Sequence, residues 1–184
     1  MIPRHQDFLY STGQVMIRRL TADDEEEFIK SAVESIAFHR PWVVVPRSSD
    51  SFYRYMDRFK NSDDEAIAVC AGDGDPIVGF INLTAVVRGP YQRAVVGYWV
   101  FSKFSRMGYM TRAFPLVYKF AFQDLGLHRL EADIQPGNTR SLRLAKRVGF
   151  RREGYSPNFI KIGGDWRDHV RLAITSEMAD KFLQ

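Results

Sequence analysis

The sequence predicts a single mixed α/β domain: one sheet of about seven strands, mostly antiparallel with a parallel pair at its centre, flanked by four helices. Three observations carry this. Short runs of alternating apolar and polar residues, bounded by Gly, Pro, Asn and Asp clusters, recur as strand signals. Four stretches show helical spacing of apolar residues behind Ser, Thr or Asn caps or, in one case, a basic loop. The order strand, helix, strand over residues 95–134 then requires a right-handed crossover, and so a parallel pair.

A chain of 184 residues, 45% hydrophobic and 26% charged, can bury one real core as a globular domain. The expected boundaries are an arm over residues 1–14, the domain over 15–176 and a tail over 177–184. No apolar run approaches the roughly 20 residues of a membrane span, and residues 1–13 lack a signal core. A cytoplasmic home with no membrane partner is expected. The one cysteine, Cys70, sits in an apolar alternation and reads as an inert buried thiol. A net charge of +4 is too modest to argue for nucleic acid, and no metal site is expected.

Residues 1–13 show no periodicity and read as an arm or an edge segment. Residues 15–17 suggest a short strand, after which Thr21 can cap a helix with Asp24 at N3, running to about His39. Pro41 and Pro46 keep the apolar segment between them extended, and it either packs on the core or walls a cleft. Ser48 or Ser49 caps a second helix through Lys60. Strands follow over 65–71 and 77–87, joined by the turn residues 72–76, and over 93–101 after a turn near Gly89 and Pro90. The third helix carries Met110, Phe114, Val117, Ala121 and Leu125 on one face and stops at Gly126; Pro115 inside it predicts a kink or a later start. A strand over 127–134, an Asn138-capped helix to Val148, and a hairpin over 150–174 through Gly163 and Gly164 complete the chain.

The stretch 103–111 joins the 93–101 strand to the third helix. It contains Lys103 and Arg106, precedes Arg112, and holds no acid. A helix N-terminus presents free N–H groups and the positive end of its dipole, so this loop reads as a place for phosphate, or else as a solvated connection. Residues 140–152 hold six bases and no acid, with Arg140, Arg143 and Arg147 at helical spacing; this second cluster either serves the same anion or forms an ordinary basic face.

Several features stand in one order: Gly97-Tyr98-Trp99, the basic loop with Gly108-Tyr109-Met110-Thr111, His128-Arg129-Leu130-Glu131, Asn138-Thr139-Arg140-Ser141, Val148-Gly149-Phe150, and Asp165-Trp166-Arg167-Asp168-His169. Over residues 15–175 the chain resembles the GNAT superfamily of N-acetyltransferases, and within it the Rim-type ribosomal-protein N-terminal acetyltransferases. The resemblance implies an acyl-CoA N-acyltransferase fold splayed open between its two parallel strands, with acetyl-CoA in the opening. It implies pantetheine along Trp99, Val100 and Phe101, and phosphates on Lys103, Arg106, Met107, Gly108, Tyr109, Met110 and Thr111, with Asn138, Ser141 and Arg147 nearby. Arg106 stands where the family loop has its first glycine, so it either crowds the phosphates or holds them.

Acetyl transfer needs a neutral amine, support for an oxyanion, and a proton for the thiolate. A strand amide near Trp99 or Val100 could support the oxyanion. The resemblance points to Ser141 for the proton, although a serine there can also cap helix amides. Glu131 is the first choice of base, with Glu153 and His128 behind it. An α-amine, with pKa about 7.7 to 8.0, needs less help than an alkylamine near 10.4, which favours a protein N-terminus. A small amine acceptor and an inactive CoA-binding module remain the alternatives. Trp42, Tyr53 and Tyr155 are expected at the acceptor site, in a monomer or homodimer.

Overall fold

The computed structural model describes residues 8–72 and 76–183. Eight strands form one sheet in the order β1-β2-β3-β4-β5-β6-β8-β7: β1 (Phe8–Ser11), β2 (Val15–Arg19), β3 (Glu65–Ala71), β4 (Ile77–Val87), β5 (Arg93–Val100), β6 (Arg129–Ile134), β7 (Arg151–Ile162) and β8 (Asp165–Thr175). Only β5 and β6 pair in parallel; every other neighbour is antiparallel. The expected count of seven strands misses β1, whose four residues are too few to show a period. It pairs with β2 as an edge strand, while residues 1–7 of the expected arm lie outside the described residues. Most of the turn expected over 72–76 lies outside them too. Gly163 and Gly164 both take positive φ, 62° and 96°, which the tight β7–β8 turn requires.

Among the described residues six α-helices flank the sheet: α1 (Glu25–Glu34), α2 (Ile36–His39), α3 (Ser49–Asp57), α4 (Tyr109–Tyr118), α5 (Thr139–Arg147) and α6 (Ser176–Ala179). The first expected helix divides at Ser35 into α1 and α2. The capping box of Thr21 and Asp24 opens the short 3-10 turn Ala22–Asp24 that leads into α1. Ser48 caps α3, taking the Ser51 N–H. Helix α4 starts at Tyr109 and continues through Pro115, then widens into a π turn over Lys119–Asp124. The C-terminal segment packs instead of trailing: Ala179 is buried, and Phe182 lies against Gly149. Among the described residues no helix is long and apolar enough to cross a membrane.

Two cores sandwich the sheet. On one face α4, its π turn and α5 pack across the strands from β2 to β8, burying Phe114, Val117, Tyr118, Leu130 and Ile134. On the other face α1 and α3 cover β2–β5, where Phe28, Phe52, Phe80 and Phe101 form an aromatic cluster. No residue of β6–β8 belongs to this second core. There the sheet carries an ion-pair network of Arg93, Arg129, Arg151 and Arg171 with Glu131, Asp133 and Glu153.

Candidate active site

The parallel pairing of β5 and β6 is short. It covers Arg93–Val95 against Arg129–Glu131, although β5 continues to Val100 and β6 to Ile134. Beyond that seam the two strands have separate neighbours, and a cavity of about 840 Å³ opens beside the end of β5, at Tyr98, Trp99 and Val100. Register decides which β5 groups face it. The Phe101 N–H donates to Val78 at 2.9 Å, and Gly79 stands opposite Val100. By the alternation of an antiparallel ladder, Phe101 and Trp99 turn their polar groups to β4, while Tyr98 and Val100 turn theirs to the cavity. Of the three residues expected along the coenzyme arm, only Val100 therefore presents backbone groups to the cleft; Phe101 is fully buried in the second core.

Two helix starts converge on the opening. Helix α4 begins at Tyr109 with Gly108 as its N-cap at φ 81°, and Gly108, Tyr109, Met110 and Thr111 all line the cavity. Arg106 lines it too, at φ 65°, a left-handed conformation that costs a non-glycine residue about 1–2 kcal/mol. The position thus has the backbone that explains a glycine in the family, and an arginine occupies it. Arg112 reinforces the loop by donating to the Met107 carbonyl at 3.0 Å. Met107 itself is 55% exposed, and Lys103 lies over the Phe104 ring; neither lines the cavity.

Helix α5 contributes Asn138, Thr139, Arg140, Ser141, Arg143, Leu144 and Arg147 to the wall. The Asn138 side chain accepts the Ser141 N–H at 3.2 Å, and Tyr98 donates its hydroxyl to the Ser141 carbonyl at 3.0 Å. The backbone of Ser141 is therefore satisfied by others. Its own hydroxyl makes no hydrogen bond among the described residues, so capping does not use it. Burial pushes the Tyr98 phenol up to about 12 and keeps it protonated. Arg40, Arg106, Arg140, Arg143 and Arg147 all line the cavity, and among the described residues no carboxylate does.

The third wall is α2 with the segment after it: Phe38, His39, Arg40, Trp42 and Val43. Trp42 lies against Gly137, and Arg140 sits over the Phe38 ring at 5.3 Å. His39 places Nε2 3.0 Å from the Val100 carbonyl, and burial lowers its pKa below the usual histidine value. Sequence reasoning missed His39. The signal was present, because Phe28, Ala32, Ser35 and His39 fall on one helical stripe whose first two members are core residues.

Other expected site residues lie elsewhere. Glu131 is bonded to Arg93 at 2.9 Å and Arg129 at 2.8 Å, on the open sheet face and not in the cavity wall. Glu153 pairs with Arg129 and Arg151, and His128 with Glu177. Tyr53 donates to Glu25 at 2.8 Å from the outside of α3, and Tyr155 donates to Asp168 on the β7–β8 hairpin. Neither tyrosine reaches the cleft.

Comparison with known proteins gives one consistent result. Residues 14–151 match the acetyltransferase (GNAT) domain family. The chain is 30% identical over 170 residues to the probable N-acetyltransferase YjcK of Bacillus subtilis, covering 87% of this chain and 93% of that one. It is 28% identical over 174 residues to the ribosomal protein uS5-alanine N-acetyltransferase of Escherichia coli, covering 90% of each. The structure of Mycobacterium smegmatis RimJ in complex with CoA-disulfide superposes with a TM-score of 0.83 at 26% identity, covering 96% of this chain and 91% of that one.

Proposed function

The chain belongs to the GNAT family of N-acetyltransferases, which draw on acetyl-CoA, and from that premise we propose that its acceptor is the α-amine of a protein N-terminus. The observation that carries this is the absence of any carboxylate among the described residues lining the cleft. A polyamine is a chain of cations and would find no carboxylate there to pair with. An α-amine is largely neutral near its pKa of about 7.7 to 8.0 and needs no strong base. The E. coli relative, a ribosomal protein uS5-alanine N-acetyltransferase, agrees with this.

The residues fit acetyl-CoA. Two helix N-termini and the guanidinium groups of Arg106, Arg140, Arg143 and Arg147 suit a pyrophosphate and a further phosphate. The edge of β5 at Tyr98 and Val100 suits an extended amide-bearing arm. When bound, acetyl-CoA supplies an activated thioester. In this reading the Val100 N–H supports the thioester oxygen, and the free Ser141 hydroxyl gives its proton to the departing sulfur and takes up the one the attacking amine releases. Trp42 shapes the acceptor mouth.

The test incubates the protein with acetyl-CoA and short peptides beginning with Ala, Ser or Met, beside spermidine, and locates the acetyl group by fragmentation mass spectrometry. Acetylation at the peptide α-amine is the expected result. Turnover of spermidine with untouched peptides would overturn the reading.

A further inference from the structure

Ser35 and His39 stand four residues apart on the inner face of the α1–α2 segment, and they are only 1% and 6% exposed. Buried polar side chains are rare without partners, and both have theirs on the backbone at the end of β5. His39 Nε2 lies 3.0 Å from the Val100 carbonyl, and the Ser102 N–H donates to Ser35 Oγ at 2.9 Å. The two bonds flank Phe101, whose side chain is fully buried. A carbonyl can only accept, so the imidazole proton sits on Nε2.

This leaves the strand edge asymmetric. An exposed edge offers both N–H and C=O groups. At Val100, the carbonyl is already occupied from within the protein, and the N–H is what remains for the cleft.

We infer that His39 is a positioning residue for acetyl transfer: by holding the Val100 carbonyl, it weakens that acceptor and leaves the Val100 N–H as the dominant polar group at the end of the β5 edge, where negative charge gathers on the thioester oxygen. The inference rests on the reading above, in which the Val100 N–H supports that oxygen. A free carbonyl lone pair beside a developing oxyanion would oppose it electrostatically, and in a cleft shielded from water the opposition is large. The same lone pair would bind an arriving ammonium and hold it in its unreactive protonated form. A neutral imidazole draws on that carbonyl and weakens both effects without adding a charge.

The experiment is infrared spectroscopy of acetyl-CoA labelled with carbon-13 at the acetyl carbonyl, bound to the wild type, His39→Gln, His39→Leu, His39→Asn and Ser35→Ala. A hydrogen bond from Val100 moves the thioester band to lower wavenumber. Wild type and His39→Gln, whose side-chain amide reaches the same carbonyl, keep the shifted band. His39→Leu and the shorter His39→Asn return it toward that of free acetyl-CoA, either variant sufficing if the other does not fold. Ser35→Ala lowers the melting temperature and keeps the band. With a peptide beginning in Ala, kcat falls roughly 10- to 100-fold in the Leu and Asn variants and stays within about threefold in the Gln variant. The dissociation constant of CoA, held through its phosphates, does not change. An unmoved band in the Leu and Asn variants, or equal losses in Gln and Leu, overturns the inference. A wild type with a shifted band but no peptide turnover overturns the acceptor reading alone, and the band comparison among variants still decides the role of His39.

Discussion

The indole of Trp42 lies so close to Gly137 that a Cβ added there would stand 2.9 Å from its Cη2 atom. The segment after α2 thereby meets the turn before α5 across the cleft mouth, beside the pairing of Phe38 with Arg140. The substitution Gly137→Ala is expected to push the ring outward. Because the clash is with the far end of one side chain, stability should change by less than about 1 kcal/mol. The KM for an N-terminal peptide should rise severalfold with kcat nearly constant, which steady-state kinetics will read.

Arg106 holds a φ of 65° on the cavity wall. Arg106→Gly should relieve backbone strain, while the greater freedom of glycine in the unfolded chain offsets part of the gain, so the net is a stabilisation of at most about 1 kcal/mol. If the guanidinium holds phosphate, affinity for CoA should fall about tenfold by calorimetry, the scale of one charge-assisted hydrogen bond. Equal or better affinity would show that the arginine only crowds the loop.

Glu131 is 14% exposed at its side chain and bonded to two guanidinium groups. Glu131→Gln should therefore act on stability, lowering it by about 1–3 kcal/mol in chemical denaturation. Turnover per folded molecule should stay within about twofold, whereas a general base would show a loss of about a hundredfold or more.

Ser141 offers a free hydroxyl in the cavity while Asn138 does the capping. Ser141→Ala should leave CoA affinity and the melting temperature unchanged and reduce kcat, about 10- to 100-fold if this hydroxyl is the proton donor. An unchanged rate removes it from the chemistry.

His39 and Glu153 both shape the acid side of the stability curve. Burial lowers the pKa of His39, so below the ordinary histidine value of 6.5 the unfolded chain takes up a proton that the folded one resists. Stability is then full above pH 6.5 and declines below it. Hydrogen bonds from Arg129 and Arg151 hold Glu153 down at about 2, so its contribution is present above its ordinary 4.5 and is lost as pH falls toward 2. Thermal melts from pH 8 to 3 should show a first decline near 6.5 that His39→Gln abolishes, and a second below 4.5 that it leaves in place.

These residues also mark what was legible in the sequence. Periodicity and turn residues were enough for β2–β8 and for α3, α4 and α5, because long amphipathic patterns leave little choice of state. Phe8–Ser11 is too short to show one, and the break at Ser35 has no Gly or Pro to announce it. In the site, Gly108 and the α5 arginines came from local spacing, and Ser141 from the family resemblance. Glu131 was chosen for its residue type, and a strand's alternation cannot say which sheet face opens on the cleft. His39 depends on a partner 61 residues away, a pairing that only tertiary structure reveals.

The seam between β5 and β6 joins the two halves of the sheet by three residue pairs. The backbone ladder thus supplies little of what unites them, and α4, packed across both halves, supplies the rest through side-chain burial. A ladder fixes spacing and direction, whereas burial is non-directional and fixes only how closely two surfaces pack. The separation of the two halves beside the cleft is therefore set by the side chains packed beneath it and not by a continuous ladder.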